Sequence, residues 1–151
     1  MNLEYRRLQR DTPDFLRTTT TLIEFSRGSE HGGYASAFAH LSAELLSRAA
    51  VLYIDVPWEE SLRKNRRRAN PEKSDSILEH SLPDGKLERL YRETDWTVVS
   101  RADPSFLYIQ GYKVPYVVFD NRDDVTTAQG QELGARLQAA LENLWQLYRS
   151  K

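Results

Sequence analysis

The sequence predicts an α/β domain with three layers and a mostly parallel sheet. Short apolar runs, typical of strands covered on both faces, alternate with segments in which apolar residues recur every three or four positions. That alternation favours parallel strands connected by helices. At 151 residues the chain has the length of one domain with its own core, so we expect residues 1–151 to form a single unit.

The composition excludes several classes of protein. Hydrophobic residues make up 40% of the chain, charged residues 28%, and the formal net charge is -1, all ordinary values for a soluble globular protein. The chain has no cysteine, which excludes disulfides, zinc sites built on thiolates and cysteine nucleophiles, and which fits a cytoplasmic protein. No apolar run approaches the roughly 20 residues that a bilayer requires, so we expect neither a signal peptide nor contact with a membrane.

The first half of the chain contains two predicted strands and two predicted helices. The run TLIEF at 21–25 predicts a buried strand, and the helical spacing of apolar residues predicts a helix over 34–49. The run AVLYIDV at 50–56 predicts a second buried strand. A helix then begins at Pro57, since proline is tolerated in a first turn, and ends before the Asn-Pro pair at 70–71.

The next part of the chain combines a polar segment with two further strands. Residues 70–86 are interrupted by two prolines and a glycine, so a mobile loop is predicted there, and 87–96 reads as a short helix. The runs FLYIQG at 106–111 and VPYVVF at 114–119 predict strands, the second of them buried.

The end of the chain predicts a long helix. Thr126 and Gln129 have the spacing of a capping box, which marks the start of a helix. One apolar stripe follows at helical spacing. Its members are Leu133, Leu137, Leu141, Leu144 and Tyr148.

The predicted helix after Pro57 carries an unusual density of positive charge. Arg63 and Arg67 share one face, with Arg66 beside them, and such guanidiniums repel one another unless an anion or carboxylates lie between them. The planar guanidinium matches phosphate oxygens, so a phosphate-rich ligand is one interpretation, and a solvated helix end that complements the macrodipole is the other. The neighbouring polar segment favours a lid-like role for residues 57–95.

Glu24 and Arg27 follow the first predicted strand, where the ligands of parallel sheets collect. The Glu24 carboxylate could hold magnesium through water or accept a proton from a substrate, while the alternative is a structural ion pair with an arginine. The glycine-rich segment at 27–33 lacks the Lys-Ser or Lys-Thr of a phosphate loop. We interpret it as a strand-to-helix turn, with anion binding by its backbone amides as the lesser alternative.

The segment FDNRDD closes the last predicted strand. Asp123 and Asp124 fit a turn or a helix cap, because Asx side chains at strand ends bond to nearby backbone. Asn121 and Arg122 are candidates for contact with a nucleotide base, on the basis of their position alone.

Three segments resemble the P-loop nucleoside and nucleotide kinases, members of the P-loop containing nucleoside triphosphate hydrolase fold. TLIEFSRG is similar to the third strand, LYIDVPWEESLRKNRRR to the fourth strand with its arginine-bearing lid, and VPYVVFDN to the fifth strand. The resemblance implies ATP and magnesium as cofactors, and a nucleotide or other phosphorylated small molecule as partner. The implied residue roles are a catalytic, magnesium-associated acid at Glu24, a substrate contact at Arg27, contacts with the transferring phosphates at Arg63, Arg66 and Arg67, and nucleotide contacts at Asn121 and Arg122.

The same resemblance implies a kinase-like fold without its first strand and phosphate loop, since neither is present in the sequence. By this resemblance the chain would be the C-terminal part of a P-loop kinase-like protein. The complete form of that protein would transfer phosphate from ATP to a small nucleoside- or nucleotide-like acceptor, and the isolated chain should be a poor kinase or none. The missing strand would leave backbone groups unpaired, which predicts strand exchange or a homo-oligomer.

Two other functions remain open. One is a non-catalytic domain that associates with itself or with a partner. The other is nucleic-acid binding through the basic helix, which the nearly neutral net charge makes the least favoured.

Overall fold

The computed structural model describes residues 1–68 and 81–151. The strands in these ranges are β1 (Val51–Asp55), β2 (Phe106–Ile109) and β3 (Tyr112–Asp120). The helices are α1 (Asn2–Asp11), α2 (Phe15–Thr18), α3 (Gly33–Ala39), α4 (Ala43–Leu46), α5 (Trp58–Arg68), α6 (Asp84–Tyr91), α7 (Trp96–Ser100), α8 (Val125–Ala128) and α9 (Gln131–Arg149), with a 3₁₀ turn at Ser29–His31. The strands thus lie in the middle and later parts of the chain.

The sheet has the strand order β1-β3-β2 and mixes both directions. β1 runs parallel to β3, with Val51 opposite Tyr116, and β2 runs antiparallel to β3. Within the described residues the sheet therefore has three strands and one parallel pair. The prediction of a three-layer, mostly parallel, P-loop kinase-like sheet is wrong.

One reason for this difference is the turn between β2 and β3. Ile109 pairs with Tyr112, so only Gln110 and Gly111 connect the strands. Both have positive φ, 50° and 82°, as in the two-residue hairpin turns that match the twist of antiparallel strands. A connection of this length cannot return a strand parallel to its neighbour.

The second reason lies at residues 21–25, where a buried strand was predicted and the structure has none. Leu22 is 91% exposed and Glu24 is exposed, while Phe25 packs against the core beside Phe38. Phe25 anchors the end of the run in the core, and the run pairs with no strand in the described residues, although the outer edge of β1 is open.

Several helices also differ from the prediction. The helix expected over 34–49 is divided into α3 and α4, and Ser42 caps α4 by accepting a hydrogen bond from the Leu45 amide. The segment 87–96 contains the end of α6 and leads into α7, and residues 84–86 of the predicted loop are helical. Residues 69–80 lie outside the described residues. They include most of the predicted loop, the predicted end of α5 and the middle of the lid-like segment.

Other elements are confirmed. The apolar pattern correctly predicts the positions of β1, the beginning of α5 after Pro57, both strands of the hairpin and the long C-terminal helix. The predicted burial of β1 is wrong, because its residues are partly exposed and Ile54 is exposed. The capping box is wrong, since Thr126 belongs to the short helix α8 and α9 begins after Gly130.

The two faces of the sheet bury different parts of the chain. Side chains alternate along a strand, so Val114 and Tyr116 face one side while Val117 and Phe119 face the other. The first side meets a core that includes Phe38 of α3, Leu46 of α4 and Trp96 of α7. α9 packs along β3 and buries Leu144. A smaller apolar cluster joins α1, α2 and α4 through Tyr5, Phe15 and Leu45.

In the described parts of the chain, no helix is both long enough and apolar enough to cross a membrane.

Candidate functional site

The arginines of α5 lie among carboxylates. The Arg63 guanidinium is 2.7 Å from Glu60 and also pairs with Asp124, and the Arg66 guanidinium is 2.6 Å from Asp84. Arg67 donates a hydrogen bond to the Thr127 hydroxyl at 3.2 Å. The carboxylates supply the negative charge that the Arg63 and Arg66 guanidiniums require, so these contacts favour a helix end without a phosphate ligand over the phosphate-binding interpretation.

Lys64, which had no predicted role, joins α5 to α8. Its ammonium lies 2.5 Å from the Asp124 carboxylate and donates a hydrogen bond to the Thr126 hydroxyl at 3.0 Å. The hydrogen bond from Lys64, with the charges of Lys64 and Arg63, lowers the pKa of Asp124 to about 2. No local pattern identifies this pair, because its members lie sixty positions apart along the chain.

Asn121 is a buried structural residue. It is 1% exposed, its amide nitrogen donates to the Thr126 hydroxyl at 3.0 Å, and its amide oxygen accepts from the Thr126 backbone at 3.1 Å. Its backbone amide donates to the carbonyl of Asp55, which connects the end of β3 to the end of β1. These bonds occupy both ends of the amide that was a candidate for base contact.

Arg122 lies at the carboxyl ends of the two parallel strands. Its guanidinium is 2.6 Å from Asp120 and 3.8 Å from Asp55, two residues that are partners in the register. Hydrogen bonds from Arg122 hold the pKa of Asp120 well below its ordinary value. The structure thus places Arg122 between two acids.

Glu24 and Arg27 do not follow a strand, contrary to the prediction. Glu24 is exposed and has no ion pair with any described residue. The Arg27 guanidinium lies 6.0 Å from the centre of the Phe25 ring and 3.5 Å from the Ser26 carbonyl. Among the described residues, no group of three or more histidine, aspartate or glutamate side chains forms a metal site. Magnesium at Glu24, bound ATP and phosphoryl transfer stay predictions.

The glycine-rich turn before α3 holds a carboxylate from another part of the chain. The amides of Tyr34 and Ala35 donate to the two oxygens of Asp95 at 2.7 and 2.9 Å. Gly28 lies against the backbone of α6, where a Cβ would come 1.8 Å from the Leu90 carbonyl. The segment leads into a helix, as predicted, but no strand precedes it in the described residues, and the amides that bind the internal carboxylate belong to the first turn of α3.

A cavity of about 440 Å³ lies beside the carboxyl end of β1. Its walls include Tyr53 and Asp55 of β1, Trp58 of α5, Trp96 of α7 and Val118 of β3. The rings of Tyr53 and Trp96 are stacked with their centres 3.9 Å apart, and burial raises the pKa of the Tyr53 hydroxyl. Ligands of parallel strands collect at this end of a sheet, although Arg63, Arg66 and Arg67 do not line the cavity.

The outer edge of β1 is the second open feature near this end. β1 bonds to β3 on one side, and no other described strand pairs with it. Ile54 is 51% exposed, and on α9 Leu141 and Trp145 are exposed by more than half. An unpaired strand edge bordered by apolar side chains is a surface suited to another chain.

Comparison of the chain with models of protein families, with curated proteins and with solved structures finds no match.

Proposed function

We propose that this chain is a non-catalytic interaction domain that pairs with a second copy of itself along the outer edge of β1. The observation that carries this proposal is the open edge itself. β3 satisfies one side of β1, and among the described residues no strand bonds to the other side. A row of unsatisfied backbone donors and acceptors favours the addition of a further strand.

Apolar side chains next to this edge support the proposal. Leu52 and Ile54 point to the same face of the sheet, because they are two residues apart in one strand. An antiparallel second copy centred on Tyr53 would place Leu52 of each chain opposite Ile54 of the other. Burying the half-exposed Ile54 against the partly exposed Leu52 in this way favours association.

α9 adds to the same surface. Trp145 stacks on Tyr148 with ring centres 5.7 Å apart, and the Lys151 ammonium lies 4.3 Å from the Tyr148 ring. Lys151 also donates to the carbonyl of Ser47, just before β1, at 2.8 Å. The end of α9 that carries Trp145 and Tyr148 therefore lies near the segment that leads into β1.

Charge favours an antiparallel copy as the occupant. Arg48 is exposed just before β1 begins, and Asp55 is partly exposed where β1 ends. A two-fold axis through the strand brings the basic end of each copy towards the acidic end of the other. The product would be one continuous sheet of six strands without a connecting loop.

Sedimentation equilibrium of the full chain, from micromolar to near-millimolar concentration, tests this proposal. We expect a monomer–dimer equilibrium that the Ile54→Lys variant weakens about tenfold or more, since an ammonium group replaces an apolar contact. The Val98→Lys variant is the matched control, because Val98 is an exposed aliphatic residue of α7. Monomers at every concentration, or equal dimerisation of the parent and Ile54→Lys chains, would contradict the proposal.

A further inference from the structure

A second cavity, of about 490 Å³, lies between the start of α1, the segment before the 3₁₀ turn, and α3. Its basic and hydroxyl-bearing wall is formed by Arg27, His31, Ser36 and His40. No aspartate or glutamate is among the described residues that line it. We propose that this cavity binds a small organic oxyanion, a phosphate monoester or a carboxylate, with Arg27 as its main ligand.

Arg27 differs from the arginines of α5 in its surroundings. Arg63 and Arg66 each contact a carboxylate, whereas Arg27 has no ion pair with a described residue. Its hydrogen bond to the Ser26 carbonyl is long, at 3.5 Å, and satisfies one of the five N–H groups of the guanidinium. The remaining donors have the fork geometry that binds two oxygens of a phosphate or carboxylate.

His40 is held in a fixed orientation at the same cavity. Its Nδ1 donates to the carbonyl of Ser36 at 2.7 Å, because a carbonyl oxygen can only accept. Nε2 is thereby left without a partner among the described residues, and it donates to an oxyanion when the ring is the imidazolium cation. The Asn2 side chain donates to the His40 carbonyl at 2.7 Å and accepts from the Ser42 amide at 3.2 Å, which fastens α1 to this wall.

The rest of the wall is apolar and indicates what the anion is attached to. Phe25 and Leu41 line the cavity, and Phe25 is packed edge-on against Phe38 of the core at 6.0 Å. A bare inorganic ion would leave these surfaces exposed to water. A molecule with an apolar or aromatic group next to its oxyanion would contact both walls, so that class of ligand fits best.

Titration of the ¹⁵N-labelled full chain, followed by NMR, tests the proposal at constant ionic strength. The probes are phenyl phosphate, benzoate, inorganic phosphate and the neutral benzyl alcohol. We expect phenyl phosphate or benzoate to shift the amides between Phe25 and His40 in a saturable way, and to bind more tightly than inorganic phosphate. Whichever of phenyl phosphate and benzoate binds more tightly identifies the oxyanion as a phosphate monoester or a carboxylate. Binding of benzyl alcohol with equal affinity would overturn the proposal, because charge would then contribute nothing.

Two variants complete the test. Arg27→Gln should weaken binding of the aromatic anion about tenfold or more, since it removes a charge-assisted pair of hydrogen bonds. Arg101→Gln is the control, because Arg101 is also exposed and does not line this cavity. Unchanged binding by Arg27→Gln, or equal losses in both variants, would overturn the assignment. β1 takes no part in this cavity, so the result is independent of self-association.

Discussion

The carboxylate of Asp95 lies in the space that a side chain at Gly33 would need. A Cβ built on Gly33 would come within 2.3 Å of the carboxylate. The residue also has a φ of 64°, in the left-handed region that favours glycine. Gly33 begins α3, and Asp95, far away in the sequence, accepts hydrogen bonds from the Tyr34 and Ala35 amides in the first turn of that helix.

Replacing Gly33 with alanine should destabilise the fold by about 2 kcal/mol. About 1 kcal/mol comes from forcing an L-residue into the left-handed region, and a similar amount from displacing the Asp95 cap. Urea denaturation measures the change in unfolding free energy. Gly134→Ala is the control, since Gly134 lies within α9 with open space around it. That change should stabilise the chain by up to about 1 kcal/mol, and equal effects of the two substitutions would contradict the cap.

Replacing the buried Asn121 with alanine should lower the unfolding free energy by about 1–3 kcal/mol, because the Thr126 amide loses its acceptor and the Thr126 hydroxyl loses one of its two donors. Thermal and urea unfolding both measure this loss. The exposed neighbour Arg122 provides the comparison, and Arg122→Ala should cost less than about 1 kcal/mol. An Asn121→Ala chain as stable as the parent would show that the amide has no structural role.

Acid should destabilise the fold through Asp124. Its pKa in the folded chain is about 2, below the ordinary aspartate value, so ionisation stabilises the folded state at neutral pH. That contribution is complete above the ordinary value near 4 and is lost as the pH falls towards about 2. Urea titrations between these limits should therefore show falling stability.

The Asp124→Asn variant tests the origin of this effect. We expect it to be less stable than the parent at neutral pH and to lose less stability in acid, because the pair with Lys64 is already broken. Glu142→Gln, an exposed substitution on α9, provides the control. An acid response that is identical in the parent and Asp124→Asn chains would exclude Asp124 as its source.

Replacing Gln110 with alanine should cost about 1 kcal/mol. The Gln110 side chain donates to the carbonyls of Phe38, Ala39 and Leu41 at 3.0–3.2 Å, which ties the hairpin turn to the end of α3. Gln110→Gly should lose the same bonds but relieve the positive φ, so it should be the less harmful change. Equal unfolding free energies of the parent and the alanine variant would show that these hydrogen bonds do not stabilise the fold.

The local sequence pattern predicts much of the secondary structure. It fails where the structure of a segment depends on contacts with residues far away in the sequence. The apolar runs identify the hairpin strands because many of their side chains are buried by the fold as a whole, and they identify β1 although its side chains are only partly covered. The run at 21–25 has a similar composition, yet residues 22–24 stay exposed and pair with no described strand, so apolar composition alone did not identify a strand there. The partners of the predicted site residues also lie far away in the sequence, so local pattern does not identify them. Asp124 and Asp84 pair with arginines that the sequence indicated as phosphate ligands. Asp95 accepts from the Tyr34 amide, just after the segment whose amides were considered for anion binding.

The register of the sheet has a consequence for the order in which the chain assembles. β2 and β3 meet across a two-residue turn, whereas Val51 pairs with Tyr116, sixty-five positions further along the chain. Closing the large loop costs more chain entropy than closing the small one, so the hairpin should form early and β1 should dock late. Until β1 docks, the edge of β3 that receives it stays open to the β1 segment of any neighbouring chain. Refolding at high concentration is therefore the condition under which two chains would exchange this strand.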